Sequence, residues 1–518
     1  MINAVGREIP DTIDGYQEVV PFKGAFKYIK SGYKAHSLYR TTFGREKVVS
    51  SIKEVIRRVS LKDGMTISFH HHLRNGDYVT NMVLDEISKL GIKNLKLVHS
   101  ALFDIHEPLL QHIKNAVITS IETNYISGGL GEKLCNGFKE GLIRLDEPTK
   151  FLTHGGRARR IESGDTHIDV AFIASPIADI YGNINGVDGP SACGSLGYIF
   201  PDAEYADYVV AITDNLVNYP ISYISIDQTQ VDYIVEVDKI GDPSGIVSGT
   251  TRITTSPIGI EAARYAAKVI EASGLLNDGF SFQTGAGGTS LATAEYLGRI
   301  MIDRKITGSF GSGGITSYFV DLLDRGLFKV LLDVQDFDLK SVKSLKNNPN
   351  HVEIGASMYA NPRSKGCVTN MLDVAVLSAT EIDVNFNVNV TTASDGIIMG
   401  GSGGHSDCAA GSKLCIIVAP IMRERIPIVV DKVLTITTPG ETVDVLATER
   451  GIAVNPRRED LLERLKEAKL PLFEIEEFKN MAYKYCGVPK RPEFKDKIMA
   501  VQEYRDGTII DVIKELSS

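Results

Sequence analysis

Several absences narrow the class of this chain before any motif is read. No apolar run approaches the length of about 18 residues that a membrane-spanning helix needs, so no helical span is expected. No block of lysine or arginine appears and the formal net charge is -9, which leaves no footprint for a phosphate backbone and excludes nucleic acid as a partner. The six cysteines (Cys135, Cys193, Cys367, Cys408, Cys415, Cys486) lack C-x-x-C spacing, so buried free thiols in a reducing compartment are expected. Met1 to Asp14 carries acids and a proline but no apolar stretch of the secretory kind, and a cytoplasmic location follows. There is no P-loop and no G-x-S-x-G elbow, and no cysteine sits in a Cys/His setting.

What is present is an ordinary globular composition, 43% hydrophobic and 23% charged, in 518 residues. That length exceeds what one core supports and predicts two domains. The chain also runs twice through the same events, about 210 to 215 positions apart. Asp63-Gly64 precedes an extended run (Met65–Phe69), a polar loop (His70–Asp77) and helical spacing over Tyr78–Leu90. Asp278-Gly279 precedes Phe280-Ser281-Phe282, the loop Thr284–Thr289 and a helical stretch from Ser290 to Met301. The triplet Ile-Asp-Val recurs at Ile168 and at Ile382, each time followed by a glycine loop and an apolar strand. Short strands that are apolar on both faces and alternate with helices predict parallel sheets. The fold class expected is α/β, as two tandem open, mostly parallel domains, residues 1–245 and 246–518. Their boundary falls in the Gly/Pro/Thr-rich stretch Gly241–Pro257, and the second domain ends in a helical tail from about Arg457.

In parallel α/β sheets ligands sit beyond the carboxyl ends of strands, so the loops there are the candidates. Three glycine loops lie in the second half: Thr284–Thr289 with Gly285, Gly287 and Gly288, Gly308–Gly314 with Ser312, Gly313 and Gly314, and Gly400–Asp407 with Gly401, Gly403, Gly404, His405 and Asp407. Glycine lets backbone N–H groups approach a carboxylate, a phosphate or a developing oxyanion. In the first half His70-His71-His72-Leu73-Arg74-Asn75 places unusual polarity at a strand end. Adjacent histidines on an extended chain alternate faces, which argues against a three-histidine zinc site, and no metal is expected. Arg74 and Asn75 suit a carboxylate. His154–Arg160, with Arg157, serves either a multiply anionic substrate or a solvated charged turn. Glu381 is either a functional carboxylate or a paired structural one.

Taken together, Ser68–Asp77, His154–Arg159, Ile168–Ala174 continuing to Tyr181-Gly182-Asn183, and Gly400–Asp407 resemble the CoA-transferase superfamily, and nearly the whole chain resembles the citrate lyase alpha subunit family. Glu381-Ile382-Asp383-Val384 followed by a Gly-x-Gly-Gly loop is the part shared more widely, with carboxylate CoA-transferases and thioester hydrolases. The resemblance implies exchange of acetate for citrate on an acyl carrier protein thioester, acetyl carrier plus citrate giving citryl carrier plus acetate. It implies as cofactor a phosphoribosyl dephospho-CoA arm carried by the gamma (acyl carrier) subunit, with acetyl-CoA as a surrogate. As partners it implies the citryl-carrier lyase (beta) subunit and further copies of this chain. Many CoA-transferases form a glutamyl thioester, but the corresponding Gly313-Gly314-Ile315-Thr316-Ser317-Tyr318 holds no glutamate, which favours direct attack. His71, His72, Arg74, Asn75, Arg157 and Ser312 are then expected at the substrate. Gly313, Gly314, Gly403, Gly404 and His405 are expected at the reacting centre, and Gly285, Gly287, Gly288, Gly401 and Asp407 around the arm. His405 and Asp407 either orient their loop or move a proton. The competing readings are a transferase or thioester hydrolase for another carboxylate, and a ligand sensor, which the lack of a DNA-binding segment places last.

Overall fold

A computed structural model of the chain describes residues 1–27, 46–247, 252–285 and 287–517. Two large sheets organise it. The first has the strand order Val48–Val49, Tyr233–Glu236, Tyr208–Thr213, Val170–Ser175, Thr66–Phe69, Leu95–His99, Ile118–Thr123, Thr149–Phe151, Phe494–Glu503, Ile509–Leu516. The second has the order His351–Glu353, Phe328–Asp336, Gly308–Ile315, Ser281–Thr284, Val374–Ser378, Leu414–Val418, Val445–Thr448, Gly451–Val454. Only the last pair in each is antiparallel. The shared pattern is a duplication: the founding strands begin at Thr66 and Ser281, 215 positions apart, and those beside them at Val170 and Val374, 204 apart. Val170–Ser175 and Leu414–Val418 are buried at every residue, as strands covered on both faces must be. Each such aliphatic side chain contributes about 1.5–3 kcal/mol by leaving water. No helix among the described residues is long and apolar enough to cross a membrane.

The duplication corrects one detail of the sequence reading. The two Ile-Asp-Val triplets are not equivalent. Asp169 accepts the Thr66 N–H at 2.7 Å, and its counterpart is Asp373, which accepts the Ser281 N–H at 2.8 Å. Asp383 corresponds instead to Asp179. Each folds a tight turn by accepting N–H groups two and four residues on, and each holds the amide of an asparagine, Asn387 or Asn183. These turns sit in small three-stranded sheets that flank both units.

The chain tail also departs from expectation. Glu459–Glu467 and Ile475–Cys486 are helices, and Leu461 and Leu465 are buried as their spacing predicts. Phe494–Leu516 is instead a hairpin turned at Asp506-Gly507, and it returns to the first sheet by pairing Ala500 with Thr149 and Gln502 with Phe151. Burial from Met499 to Glu503 and the acceptor demand of Arg159 and Arg160, both paired to Glu503 at 2.9 Å, hold it there. Part of the expected boundary, residues 248–251, lies outside the described residues, as does residue 286 of the first glycine loop.

The two units meet over a shared apolar cluster in which Ala158 and Tyr198 of the first pack with Val334, Ile354 and Tyr359 of the second. The loops beyond the strand ends of one unit thereby face those of the other.

Candidate active site

The first unit contributes the loop after Phe69. His71 stands at the centre of the contact: its Nε2 lies 2.9 Å from Gln335 Oε1 of the second unit, and its Nδ1 meets Ser100 Oγ. Gln335 returns a hydrogen bond from its amide to the His71 carbonyl at 3.3 Å. Burial, then the neighbouring His72, holds the His71 ring well below the ordinary histidine range, so it is neutral and donates or accepts without charge. His71 and His154 both stack on Tyr198, with centroids at 5.0 and 4.1 Å. His70 faces elsewhere and accepts the Ala174 N–H at 2.9 Å. His72 contacts His70 and, at 3.4 Å, the Tyr198 N–H. The three rings therefore serve three different neighbours.

Arg74 adopts φ of 50°, a left-handed conformation that costs a branched-free side chain about 1 kcal/mol and marks a place where position matters more than backbone ease. Its guanidinium lies between the rings of Phe103 of the first unit (5.3 Å) and Phe337 of the second (4.7 Å). Burial lowers its pKa to about 10, which leaves it a cation at neutral pH. Asn75 is exposed, and its side-chain oxygen accepts the Ile105 N–H at 3.0 Å, so it fastens the loop.

The second unit supplies backbone. The run Gly308–Gly314, read from sequence as a loop, lies in the strand Gly308–Ile315, whose glycines let aromatic rings pack on it: a Cβ on Gly311 would meet Phe319, and one on Gly314 would meet Phe337. The register slips between Gly313 and Gly314, which pair with Asp333 and Gln335 and leave Val334 of the neighbouring strand as the extra residue, and φ of Gly313 is 104°. Ser312 is fully buried and donates to the Leu332 carbonyl at 3.1 Å, within the sheet. Gly403 and Gly404 come to the same place. A Cβ on Gly403 would lie 3.2 Å from His154 Nε2, and one on Gly404 would lie 2.6 Å from Tyr359 Oη. Gln283 links the two glycine pairs, since its amide donates to Tyr359 Oη at 2.6 Å and the same nitrogen lies 2.6 Å from where a Cβ of Gly313 would be.

Other expected site residues are placed differently. Arg157 is buried and paired to both oxygens of Asp202, at 2.7 and 2.6 Å, so it is fixed inside the first unit instead of reaching a ligand. Its neighbours Arg159 and Arg160 are likewise paired with buried acids, and the segment is the helix His154–Ser163, neither a solvated turn nor an anion cluster. Asp407 accepts Thr153 Oγ and the Gly155 N–H, both at 3.0 Å. It thus caps that helix across the units, and burial pushes it up to about 6. Gly401 packs where a Cβ would lie 2.1 Å from the Asn124 carbonyl. Both His405 ring nitrogens are engaged, by Thr438 Oγ at 2.8 Å and the Ser378 carbonyl at 2.9 Å, and burial holds the ring down to about 4. Glu381 accepts from the Asn389 amide and the Leu434 N–H, and its counterpart in the first unit is Ile177.

Gly287 and Gly288 open the helix Gly288–Arg304, while Gly285 donates to the Val376 carbonyl. The chain leaves the strand Ser281–Thr284 toward one side and returns beside it at Val374–Ser378, which makes this the switch point of the sheet. A crevice of about 740 Å³ opens there, lined by Gly287, Gly288, Ser378, Thr380, Arg252 and Arg423 among others. A long helix N-terminus and two arginines suit anionic groups. Of the buried groups of ligating side chains, Asp77, His99 and His106 are already matched: both histidines accept backbone N–H groups through Nδ1, and Asp77 caps the helix Val79–Lys89. Gln283, Gln335, Tyr198, Tyr359, Phe103 and Phe337 were not singled out from sequence. Gln283 carried a signal, as a polar residue buried in a short apolar run directly before a glycine loop.

Two duplicated open α/β units that meet over glycine backbone at their strand ends define a CoA-transferase type of fold. The family described as citrate lyase, alpha subunit (CitF) matches residues 45–516, and this chain belongs to it. A citrate lyase alpha chain of Haemophilus influenzae is 50% identical over 483 residues, 93% of this chain and 95% of that one. A crystal structure of a citrate lyase alpha subunit from Streptococcus mutans in complex with citrate has TM-score 0.94 at 50% identity and covers 100% of both chains. A Pseudomonas malonate decarboxylase hetero-tetramer in complex with malonate shares the fold at 14% identity, with TM-score 0.62 over 81% of this chain and 82% of that one.

Proposed function

We propose that this chain moves the carrier thioester from acetate to citrate at the interface of its two units. The observation that carries the reading is the convergence of the register slip at Gly313-Gly314 and the Gly403-Gly404 turn, joined by Gln283 and Tyr359, opposite Arg74 and His71. A citrate carboxylate attacks the acetyl thioester carbonyl, the C–S bond breaks, and an acetyl-citryl anhydride and a thiolate result. The thiolate then attacks the citryl carbonyl, and acetate leaves. A carboxylate enters and a carboxylate leaves, so no net proton moves, which matches a site whose histidines are held neutral. What the protein must supply is position and a place for two successive oxyanions. One backbone donor is worth about 3 kcal/mol in such a transition state, and alignment of both reactants about 7–11 kcal/mol more.

Arg74 holds a carboxylate of citrate. The crevice at Gly287, Gly288, Arg252 and Arg423 receives the anionic portion of the carrier's phosphoribosyl dephospho-CoA arm, and the proposal takes the gamma and beta subunits as partners and the cytoplasm as the location. Direct transfer is favoured over a glutamyl thioester because Gly313–Tyr318 has no glutamate and Glu381 is committed to Asn389 and Leu434. The test mixes this chain, acetyl carrier and labelled citrate without the beta subunit and follows products by mass spectrometry. Acetate and citryl carrier together, with no acyl adduct on this chain, support the reading. An adduct overturns the direct route, and acetate alone overturns transfer in favour of hydrolysis.

A further inference from the structure

Gln283 is 4% exposed and points away from Phe282, which packs in the apolar cluster beneath the second sheet. Its amide nitrogen donates to Tyr359 Oη, which in turn lies 3.4 Å from Cys408 Sγ. Burial keeps both the phenol and the thiol protonated, the latter pushed up to about 12. The chain of hydrogen bonds therefore runs from the amide N–H to the phenol oxygen, and the phenol and the thiol share the next one. The other end of the carboxamide is different: Gln283 Oε1 is buried and meets no donor among the described residues. Buried carbonyl oxygens are almost always matched, and one left open beside a reacting centre is set for a donor that arrives with the ligand.

The polar groups around it narrow what that donor is. Arg74 and the backbone N–H groups of Gly313, Gly314 and Gly404 are donors, suited to carboxylates and oxyanions, while the Gly403 N–H is held by the Asn124 carbonyl at 3.3 Å. An acceptor among them repels a carboxylate. At neutral pH citrate carries one hydrogen-bond donor, its hydroxyl. Cleavage of the citryl thioester into acetyl thioester and oxaloacetate requires that a terminal carboxyl be the one transferred, so the hydroxyl-bearing carbon stands one methylene from the reacting carbonyl. Gln283, against Gly313 and one hydrogen bond from the residue packed on Gly404, is at that range.

We propose that Gln283 Oε1 accepts the citrate hydroxyl, which makes Gln283 the residue that selects a hydroxylated tricarboxylate over the same skeleton without the hydroxyl. This rests on the transfer reading above. The experiment compares citrate with tricarballylate (propane-1,2,3-tricarboxylate) as acceptor for the full chain with acetyl carrier, measuring acetate release. The wild-type protein is expected to prefer citrate by at least about 100-fold in kcat/KM, because a site built around a substrate hydroxyl rejects the analogue that leaves its partner unmatched. Gln283→Met keeps length and removes the acceptor, and the preference should fall to within about tenfold, through loss on citrate, with the KM for acetyl carrier unchanged. Tyr359→Phe, which releases the amide, should narrow the preference part of the way. Because each ratio is taken on one preparation, it does not depend on the folded fraction. An unchanged ratio in either variant overturns the proposal, as does an equal loss on both acceptors. A rise confined to the KM for acetyl carrier also overturns it and gives the oxygen to an amide of the carrier's arm. Absence of acetate release by the wild-type protein is a separate outcome, and it removes the transfer reading before any variant is compared.

Discussion

Two arginines that look alike in sequence have opposite surroundings, and the difference decides what each can do. Arg74 is gripped by two aromatic faces from two units, while Arg157 is locked bidentately to Asp202. Arg74→Gln is expected to raise the KM for citrate about 10- to 100-fold, the range of one charge-assisted hydrogen bond, and to leave the melting temperature nearly unchanged. Arg157→Ala should do the reverse. It strands the fully buried Asp202 carboxylate and should lower stability by about 3–5 kcal/mol, read by denaturant unfolding, and adding Asp202→Asn should restore part of it. Equal KM effects from the two variants would contradict this assignment. The chemical type of both side chains was legible in sequence. Their partners were not, because Asp202 lies 45 positions from Arg157 and Phe337 lies in the other unit, and no local pattern encodes such contacts.

At the scale of single elements, strands with apolar residues on both faces and helices with a sided spacing could be read directly, as Val79–Lys89 and Gly288–Arg304 show. The glycine-rich run Gly308–Ile315 could not, because glycine serves equally in a loop and in a strand pressed against rings. The C-terminal hairpin was missed although Asp506-Gly507 is a hairpin signal, since its partner strand lies about 350 positions earlier. The register slip at Gly313-Gly314 is the part of the glycine strand to which the proposed reaction assigns a role. Gly313→Ala would put a methyl group at positive φ and 2.6 Å from the Gln283 amide. If this backbone holds the oxyanion, kcat should fall about 100- to 1000-fold, and the displaced Gln283 should raise the KM for citrate as well. Gly311→Ala, packed on Phe319 in the same strand, should instead lower stability through its clash. Steady-state kinetics beside thermal melts separates the two.

For the whole molecule, the duplication was legible as order and offset, whereas the way the units lock together was not. Part of that lock is a set of acids in the second unit that accept from the first. Asp336 takes the Ser195 N–H at 2.9 Å, Glu353 takes the Leu196 N–H at 2.6 Å, and Asp333 meets His351 at 3.1 Å beside them. Burial pushes Asp333 up to about 8. In the unfolded chain its carboxyl titrates near 3.8, so between these values the folded form keeps a proton that the unfolded form has lost. Its contribution to stability is therefore full below about 3.8 and is lost as pH rises toward 8. Asparagine retains an oxygen for the Gln335 N–H, which Asp333 accepts at 2.8 Å, and cannot ionise. The stability of the wild-type protein relative to Asp333→Asn should thus decline steadily from pH 5 to pH 8 in melts run side by side, in step with the Asp333 pKa of about 8. A difference that stays level or grows over that range would mean that Asp333 is already ionised in the folded protein and stands as a charged partner of His351 within the second unit.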